Sequence, residues 1–232
     1  MKIAAIVAAA GRGERLGGPK QLLDVGGKPM VAWTLELFER ADNVSEIYIA
    51  CEADDRERFD AVAREYARTK VRAVVAGGAT RQASVHAALS AISPKSETEL
   101  VAVHDGARPF LTLDVLDRTI AAARHGVSAI AAVPVVDTIK AARSEAVERT
   151  IPRETLWAAQ TPQVFPYDVL VAAHARAAAD RTTETDDAAL VERLGAPVLL
   201  VMGSYRNIKI TTPEDLEMAR FIAGRAQAVR ST

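Results

Sequence analysis

Short, almost unbroken apolar runs alternate with amphipathic stretches along this chain, and that alternation restricts its fold more than any other feature. The runs at 2–8, 46–51, 71–76, 100–104, 128–133 and 198–202 read as strands. Between them, 30–40, 55–67, 81–92 and 113–124 carry apolar residues at helical spacing. Strands that are apolar on both faces need cover on both faces. The expected architecture is therefore an α/β fold, a mostly parallel twisted sheet with helices on each side. In such sheets a ligand lies beyond the carboxyl ends of the strands.

Residues 134–162 break the rhythm. Pro134, Pro152 and Pro162 punctuate stretches that alternate like exposed ribbon, T-I-K-A-A-R and V-E-R-T-I-P-R. We read 134–162 as an antiparallel β-arm inserted in a single domain spanning 1–232. Helical patterns follow at 167–178 and 188–194. A last helix opens at T-T-P-E-D-L, where Thr212 suits the cap, Pro213 the first position, and the acids the positive helix end.

Composition excludes several functions. Of 232 residues, 49% are hydrophobic and 25% charged, with a formal net charge of −1. The apolar share supports a sizeable core. A near-neutral chain lacks the basic excess of a nucleic-acid binder, so any basic cluster serves a small anion. The single cysteine, Cys51, has no internal partner, which fits a cytoplasmic protein. The run 3–10 is preceded only by Lys2 and leads into a charged loop, so it reads as a buried first strand rather than a secretion signal. No run approaches the roughly 20 apolar residues of a membrane helix.

Directly after that strand stands A-A-A-G-R-G-E-R-L-G-G-P-K-Q, residues 8–21. The stretch satisfies neither G-x-G-x-x-G, since Leu16 holds the last position, nor the G-K-[ST] of a Walker loop. Its glycines, Gly11 and Gly13 among them, let backbone N–H groups approach an anion closely. Arg15 and Lys20 add two cations, which suits a triphosphate attacked at its α-phosphorus, where negative charge builds during reaction. A surface turn with solvated charges is the alternative.

Three further stretches end strands or precede a helix. H-D-G-A-R-P, residues 104–109, places Asp105 at a strand's carboxyl end, and Arg108 has the fork that grips a phosphate. A buried Asp–Arg pair shaping the turn is equally compatible, and His104 reads as a structural hydrogen-bonder. G-G-A-T-R-Q-A-S, residues 77–84, offers the amides of Gly77 and Gly78, with Ser84 one turn in, to a nucleobase edge. Helix capping by Thr80 explains the same residues. N-I-K-I-T-T-P, residues 207–213, sets Lys209 between isoleucines, pointing away from them. It is either a phosphate ligand or an edge-strand lysine that blocks aggregation.

Together, A-A-G-R-G-E-R-L…P-K-Q, H-D-G-A-R-P, D-T-I-K, T-P-Q and N-I-K-I-T resemble the 2-C-methyl-D-erythritol 4-phosphate cytidylyltransferase family from Ile3 to about Phe221. The resemblance implies a Rossmann-like domain with a β-arm that builds a homodimer. It also implies transfer of a cytidylyl group from CTP to 2-C-methyl-D-erythritol 4-phosphate in the non-mevalonate isoprenoid route. Mg2+ would be carried mainly by the CTP phosphates, near Asp105. By motif, Arg15 and Lys20 match the pair that steadies the charged transition state. Ala9, Ala10, Gly11, Gly78 and Ser84 match positions around the nucleotide, and the turn glycine Gly13 belongs with them. Asp105, Arg108, Thr161, Thr185 and Lys209 match the acceptor side, Asp105 also facing the nucleotide. Thr138 and Arg153, on the arm, match residues that lean into the neighbouring subunit's site, so the expected catalytic set is Arg15, Lys20, Arg153 and Lys209. Ala8 stands where many relatives have proline, and Arg12 where the family varies. The chain ends soon after its final helix, so the cyclodiphosphate synthase domain fused to some relatives is expected to be absent.

Two other functions fit parts of the pattern. A cytidylyltransferase for another alditol phosphate, such as ribitol 5-phosphate, would share the nucleotide loop and differ at the acceptor side. A non-catalytic nucleotide-binding regulator would need fewer cations than this chain carries. No nucleic acid or membrane is expected among the partners.

Overall fold

The first strand, β1 (Lys2–Ala9), divides its side chains between two cores with the two-residue period of a pleated strand. Ile3, Ala5, Val7 and Ala9 face one core, Ala4 and Ile6 the other. The computed structural model describes residues 2–11, 13, 16–93 and 96–230. Along the chain β1 is followed by α1 (Met30–Arg40), β2 (Glu46–Cys51), α2 (Arg56–Tyr66), β3 (Val71–Ala76), α3 (Arg81–Ser90), β4 (Thr98–Asp105) and α4 (Leu113–Ala122). Then come β5 (Ser128–Pro134), β6 (Ile139–Arg143), β7 (Ala146–Ile151), β8 (Trp157–Pro166), α5 (Tyr167–Asp180), α6 (Asp187–Arg193), β9 (Val198–Met202) and α7 (Pro213–Arg230).

A seven-stranded sheet forms in the order β3-β2-β1-β4-β8-β5-β9. Every neighbouring pair is parallel except those of β8, which runs antiparallel between β4 and β5. Helices α1, α2 and α4 cover one face through Leu35, Phe38, Phe59 and Leu116, while α3, α5 and α6 cover the other through Val85, Leu89, Leu170 and Val191. Phe38 and Phe59 are fully buried, each worth roughly 1.5–3 kcal/mol relative to exposure. The boundaries of β2, β3, β9 and α1 coincide with the sequence expectation, because the strands are mainly apolar runs and α1 an amphipathic one, each flanked by polar or turn residues. Cys51 is buried and free, its thiol pushed up to about 12 by burial first and then by Asp55.

The 134–162 region divides in two. The hairpin β6–β7 forms its own two-stranded sheet, exposed along most of its length. Its turn has positive φ at both Ser144 and Glu145, the geometry that matches the twist of adjoining strands. Trp157 onward, by contrast, enters the central sheet as β8. Pro162 argues against a central strand in the sequence, yet it lies mid-strand. The ladder with β5 slips between Ile130, opposite Gln163, and Ala132, opposite Ala159, so a bulge spans 160–162 and needs no ladder donor there.

Candidate active site

The chain winds from β1 outward through β2 to β3 and then returns to the other side of β1 as β4. The carboxyl ends of β1 and β4 therefore diverge at a topological switch point, the usual place for a ligand crevice. A cleft of about 920 Å3 opens there. Ala8 lines it from the end of β1, and Ala10, Gly11, Gly13, Lys20 and Gln21 from the first loop. Gly77 to Thr80 line it from the loop after β3, Arg81 and Ser84 from the start of α3, and Asp105 from the end of β4.

Backbone shape sets two of these positions. Gly13 has φ +62°, and a Cβ there would lie 2.2 Å from the Gly18 carbonyl oxygen, so the tight first loop excludes side chains at this point. At Gly77 a Cβ would fall 2.5 Å from that of Ala10, so the Gly77 backbone can lie this close to the Ala10 side chain only because glycine is present. Ser84 is buried beneath them. Its hydroxyl accepts from the Gly78 N–H at 3.1 Å and donates to the Thr80 carbonyl at 2.9 Å, while Thr80 Oγ1 accepts from Ala83 N at 3.0 Å and caps α3. Thr80 therefore caps as expected, whereas the Gly77 and Gly78 amides offered to a nucleobase edge are taken up by the Cys51 carbonyl at 2.7 Å and by Ser84, which lines the cleft and holds its rim.

A second cleft of about 200 Å3 lies beside the first and includes Arg108, Thr161, Gln163 and Thr185. The two share Arg81, Asp105 and Lys209. Asp105 is the centre of that common wall. Its Oδ1 accepts from Arg81 Nε at 2.8 Å, its Oδ2 pairs with Lys209 Nζ at 2.8 Å, and Arg108 Nε stands 3.8 Å away. Burial pushes the Asp105 carboxyl up, but the charges of Arg81 and Lys209 outweigh it and hold the group well below the usual carboxylate range. Arg81 also donates through Nη1 to Asp187 Oδ2 at 2.6 Å, and Asp187, fully buried, holds His174 Nε2 at 3.1 Å.

Beneath this wall the strand-end histidine is structural. His104 Nε2 lies 3.0 Å from the Arg108 carbonyl, which can only accept, so Nε2 carries the proton. Its Nδ1 is 2.8 Å from Thr161 Oγ1, which in turn accepts from Asp105 N at 3.1 Å. Burial lowers the His104 pKa to about 4, so the ring is neutral. The segment before α7 is fixed by a capping box. Asp215 accepts from Thr211 N and Thr212 N at 2.8 and 2.9 Å, and Thr212 Oγ1 accepts from Asp215 N at 3.2 Å. This segment is not part of a strand, and Lys20 Nζ donates to its Ile210 carbonyl at 2.9 Å.

Of the residues singled out in the sequence, Ala10, Gly11, Gly13, Lys20, Gly78, Ser84, Asp105 and Lys209 line the larger cleft. Arg108, Thr161 and Thr185 line the smaller, with Asp105 and Lys209 again. Ala9 is buried at the end of β1 and lines neither. Arg15 and Arg12 lie outside the described residues. Thr138 and Arg153 are exposed and line neither cleft, with Arg153 Nη1 donating to the Val136 carbonyl. Sequence reasoning passed over Arg81 and Asp187. Arg81 sits inside the quoted G-G-A-T-R-Q-A-S, but only the fold brings α6, and with it Asp187, within its reach.

A glycine-built crevice at the switch point of a parallel sheet, joined by a charged wall to a second polar cleft, fits the class of α/β nucleotidyltransferases. Residues 3–225 match the family model of 2-C-methyl-D-erythritol 4-phosphate cytidylyltransferase, and the chain belongs to that family. It is 47% identical over 226 residues to the 2-C-methyl-D-erythritol 4-phosphate cytidylyltransferase of Geobacter metallireducens, covering 94% of this chain and 96% of the relative. The corresponding protein of Geotalea uraniireducens is 49% identical over 222 residues, covering 94% and 95%. The crystal structure of the Thermus thermophilus enzyme superposes with TM-score 0.80 at 37% identity, covering 96% of this chain and 99% of that one. The 4-diphosphocytidyl-2C-methyl-D-erythritol synthase of Anaerococcus prevotii gives TM-score 0.84 at 33% identity, with 95% of each chain covered.

Proposed function

We propose that this protein transfers the cytidylyl group of CTP to 2-C-methyl-D-erythritol 4-phosphate, releasing pyrophosphate, as a step of isoprenoid synthesis. The observation that carries the reading is the wall of Arg81, Asp105 and Lys209 common to both clefts, since two substrates that react must meet across one boundary. CTP takes the larger cleft, its phosphates against the amides of the first loop and the cations Lys20 and Arg15. The acceptor phosphate takes the smaller, beside Arg108, Thr161, Thr185 and Lys209. An oxygen of that phosphate attacks the α-phosphorus in line, and the bond to pyrophosphate breaks. The protein positions the reactants and stabilises the developing charge, and needs no nucleophilic side chain.

Among the described residues no three His, Cys, Asp or Glu side chains gather as a metal site, and both oxygens of Asp105 are engaged by cations. This donor set fits a Mg2+ that would arrive on the nucleotide, with Asp105 the wall carboxylate that could help hold it. The ion would neutralise phosphate charge.

A homodimer completes the reading. The isolated hairpin β6–β7 would be marginal in water without a surface to lie on. Leu199, Leu200 and Met202 on the edge strand β9 are each nearly half exposed, which gives a second chain an apolar surface to cover. In that assembly Thr138 and Arg153 serve the partner's acceptor cleft. No helix among the described residues is long and apolar enough to cross a membrane, and the buried reduced thiol of Cys51 suits the cytoplasm.

The test is pyrophosphate release from CTP and Mg2+ with 2-C-methyl-D-erythritol 4-phosphate, run beside ribitol 5-phosphate. Turnover with the first acceptor supports the proposal. Turnover with ribitol 5-phosphate alone would reassign the acceptor, and nucleotide binding without turnover would leave a regulator.

A further inference from the structure

The loop between α5 and α6 presents Thr185 to the smaller cleft but has no regular backbone pairing of its own. Side chains from elsewhere hold it. Gln163 of β8 donates to Asp186 at 2.8 Å and accepts from Ala188 N at 3.2 Å. From α3, Gln82 Nε2 donates to the Thr182 carbonyl at 3.2 Å, and its Oε1 accepts from Glu184 N at 3.0 Å. One amide thus bonds a carbonyl and an N–H two residues apart, as a neighbouring strand would, and these two partners fix which end of the amide is oxygen. Gln82 stands two residues beyond Thr80, in the first turn of the helix that opens at the nucleotide-side loop.

We propose that Gln82 is a positioning residue for the acceptor: its side-chain amide sets the place of Thr185 and ties the acceptor loop to the helix that opens at the nucleotide cleft. The inference rests on the acceptor occupying the smaller cleft. Gln82 lines neither cleft, so it acts through the 182–186 backbone. Losing it frees the loop without removing a group that touches either substrate. Affinity for the acceptor then falls, because the loop must be ordered as the acceptor binds. The nucleotide cleft keeps its glycines, Lys20 and Ser84.

Gln82→Ala and Gln82→Glu test this. The first removes both bonds, and the second sets a carboxylate oxygen against the Thr182 carbonyl while keeping the acceptor for Glu184 N. Expected is a rise in acceptor KM of about tenfold for Gln82→Ala, equivalent to ~1.4 kcal/mol, with CTP affinity by calorimetry within about twofold of wild type and kcat little changed. A merely structural role would lower the active fraction and leave KM alone. Combining Gln82→Ala with Thr185→Ala should be less than additive, because both act at one contact. Hydrogen exchange gives a readout independent of turnover, so it separates failure of this inference from failure of the assigned reaction: the Glu184 amide should lose protection in Gln82→Ala. An unchanged acceptor KM in a folded variant, full additivity with Thr185→Ala, or retained Glu184 protection would each overturn the proposal.

Discussion

Lys209 Nζ lies 2.8 Å from Asp105 Oδ2, joining the segment before α7 to the carboxyl end of β4 across the wall between the two clefts. Asp105 is almost fully buried, whereas the Lys209 side chain is 40% exposed, so the lysine is the partner free to turn toward an arriving phosphate. Lys209→Ser is therefore expected to impair use of the acceptor while leaving CTP binding little changed. A bond to a charged group contributes about 1.5–3 kcal/mol, so acceptor kcat/KM should fall by roughly ten- to 150-fold. Calorimetry with CTP and acceptor-dependent kinetics check both halves. Weakened CTP binding with an unaltered acceptor KM would place Lys209 on the nucleotide side.

Lys20 follows Pro19 in a short 3-10 turn, and its Nζ reaches the Ile210 carbonyl at 2.9 Å. The ammonium is thus fixed beside the first loop before substrate arrives, which is what stabilising a transition-state charge requires. Lys20→Ala should keep the far-ultraviolet circular dichroism of the wild type and lose on the order of 3 kcal/mol of transition-state stabilisation, about a hundredfold in kcat. A folded variant retaining more than about a tenth of wild-type kcat would remove Lys20 from that role.

Much of the sheet was legible because parallel strands buried on both faces leave nearly continuous apolar runs, as in 46–51, which matches β2 residue for residue, and the half-buried edge strand β3 still matches 71–76 through its valines. The strand Trp157–Pro166 was illegible for a physical reason: Trp157 is partly exposed and Pro162 breaks the donor pattern, yet Trp157 pairs opposite Pro134 and a bulge admits the proline to a central strand. In the site, chain-local devices could be read directly, among them the Thr80 and Thr212 caps and the turn glycine Gly13. The bonds of Arg81 to Asp187 and of Gln82 to Thr182 could not, since nothing in either stretch names a partner about a hundred residues away. Roles assigned to Asp105 and Lys209 by motif gain a geometry here, one ion pair shared by two clefts.

His104 predicts a pH dependence of stability. Burial holds its pKa near 4 in the folded protein, below an ordinary 6.5. The unfolded chain therefore binds the proton more readily between pH 6.5 and 4, and stability falls as pH drops through that window. Integrated over it, the loss is roughly 3 kcal/mol from this residue. In His104→Gln, which keeps an acceptor and a donor but cannot titrate, urea denaturation should show a correspondingly flatter decline from pH 6.5 to 4. Equal slopes in the two proteins would mean that folding does not lower the pKa of His104.

The exposed placement of Arg153 within one chain gives the last prediction its force. Arg153 lines neither cleft and its Nη1 is bonded to the Val136 carbonyl, so in a lone chain it has no route to the acceptor. If the hairpin side of each chain rests on the other, a two-fold dimer brings each Arg153 to the partner's smaller cleft while Lys20 serves its own chain. Arg153→Ala and Lys20→Ala homodimers should then both be nearly inactive. In a mixed dimer, one site receives Lys20→Ala from its own chain and Arg153→Ala from the partner, whereas the other site is whole. Co-expressing the two variants under different tags, purifying the mixed dimers and measuring pyrophosphate release should therefore recover up to about half of wild-type activity per dimer, since one site in two is intact. If verified mixed dimers stay inactive, Arg153 serves its own subunit or none, and the shared site is wrong. If the purified protein is monomeric yet fully active, the dimer is unnecessary and Arg153 has no catalytic place in this fold.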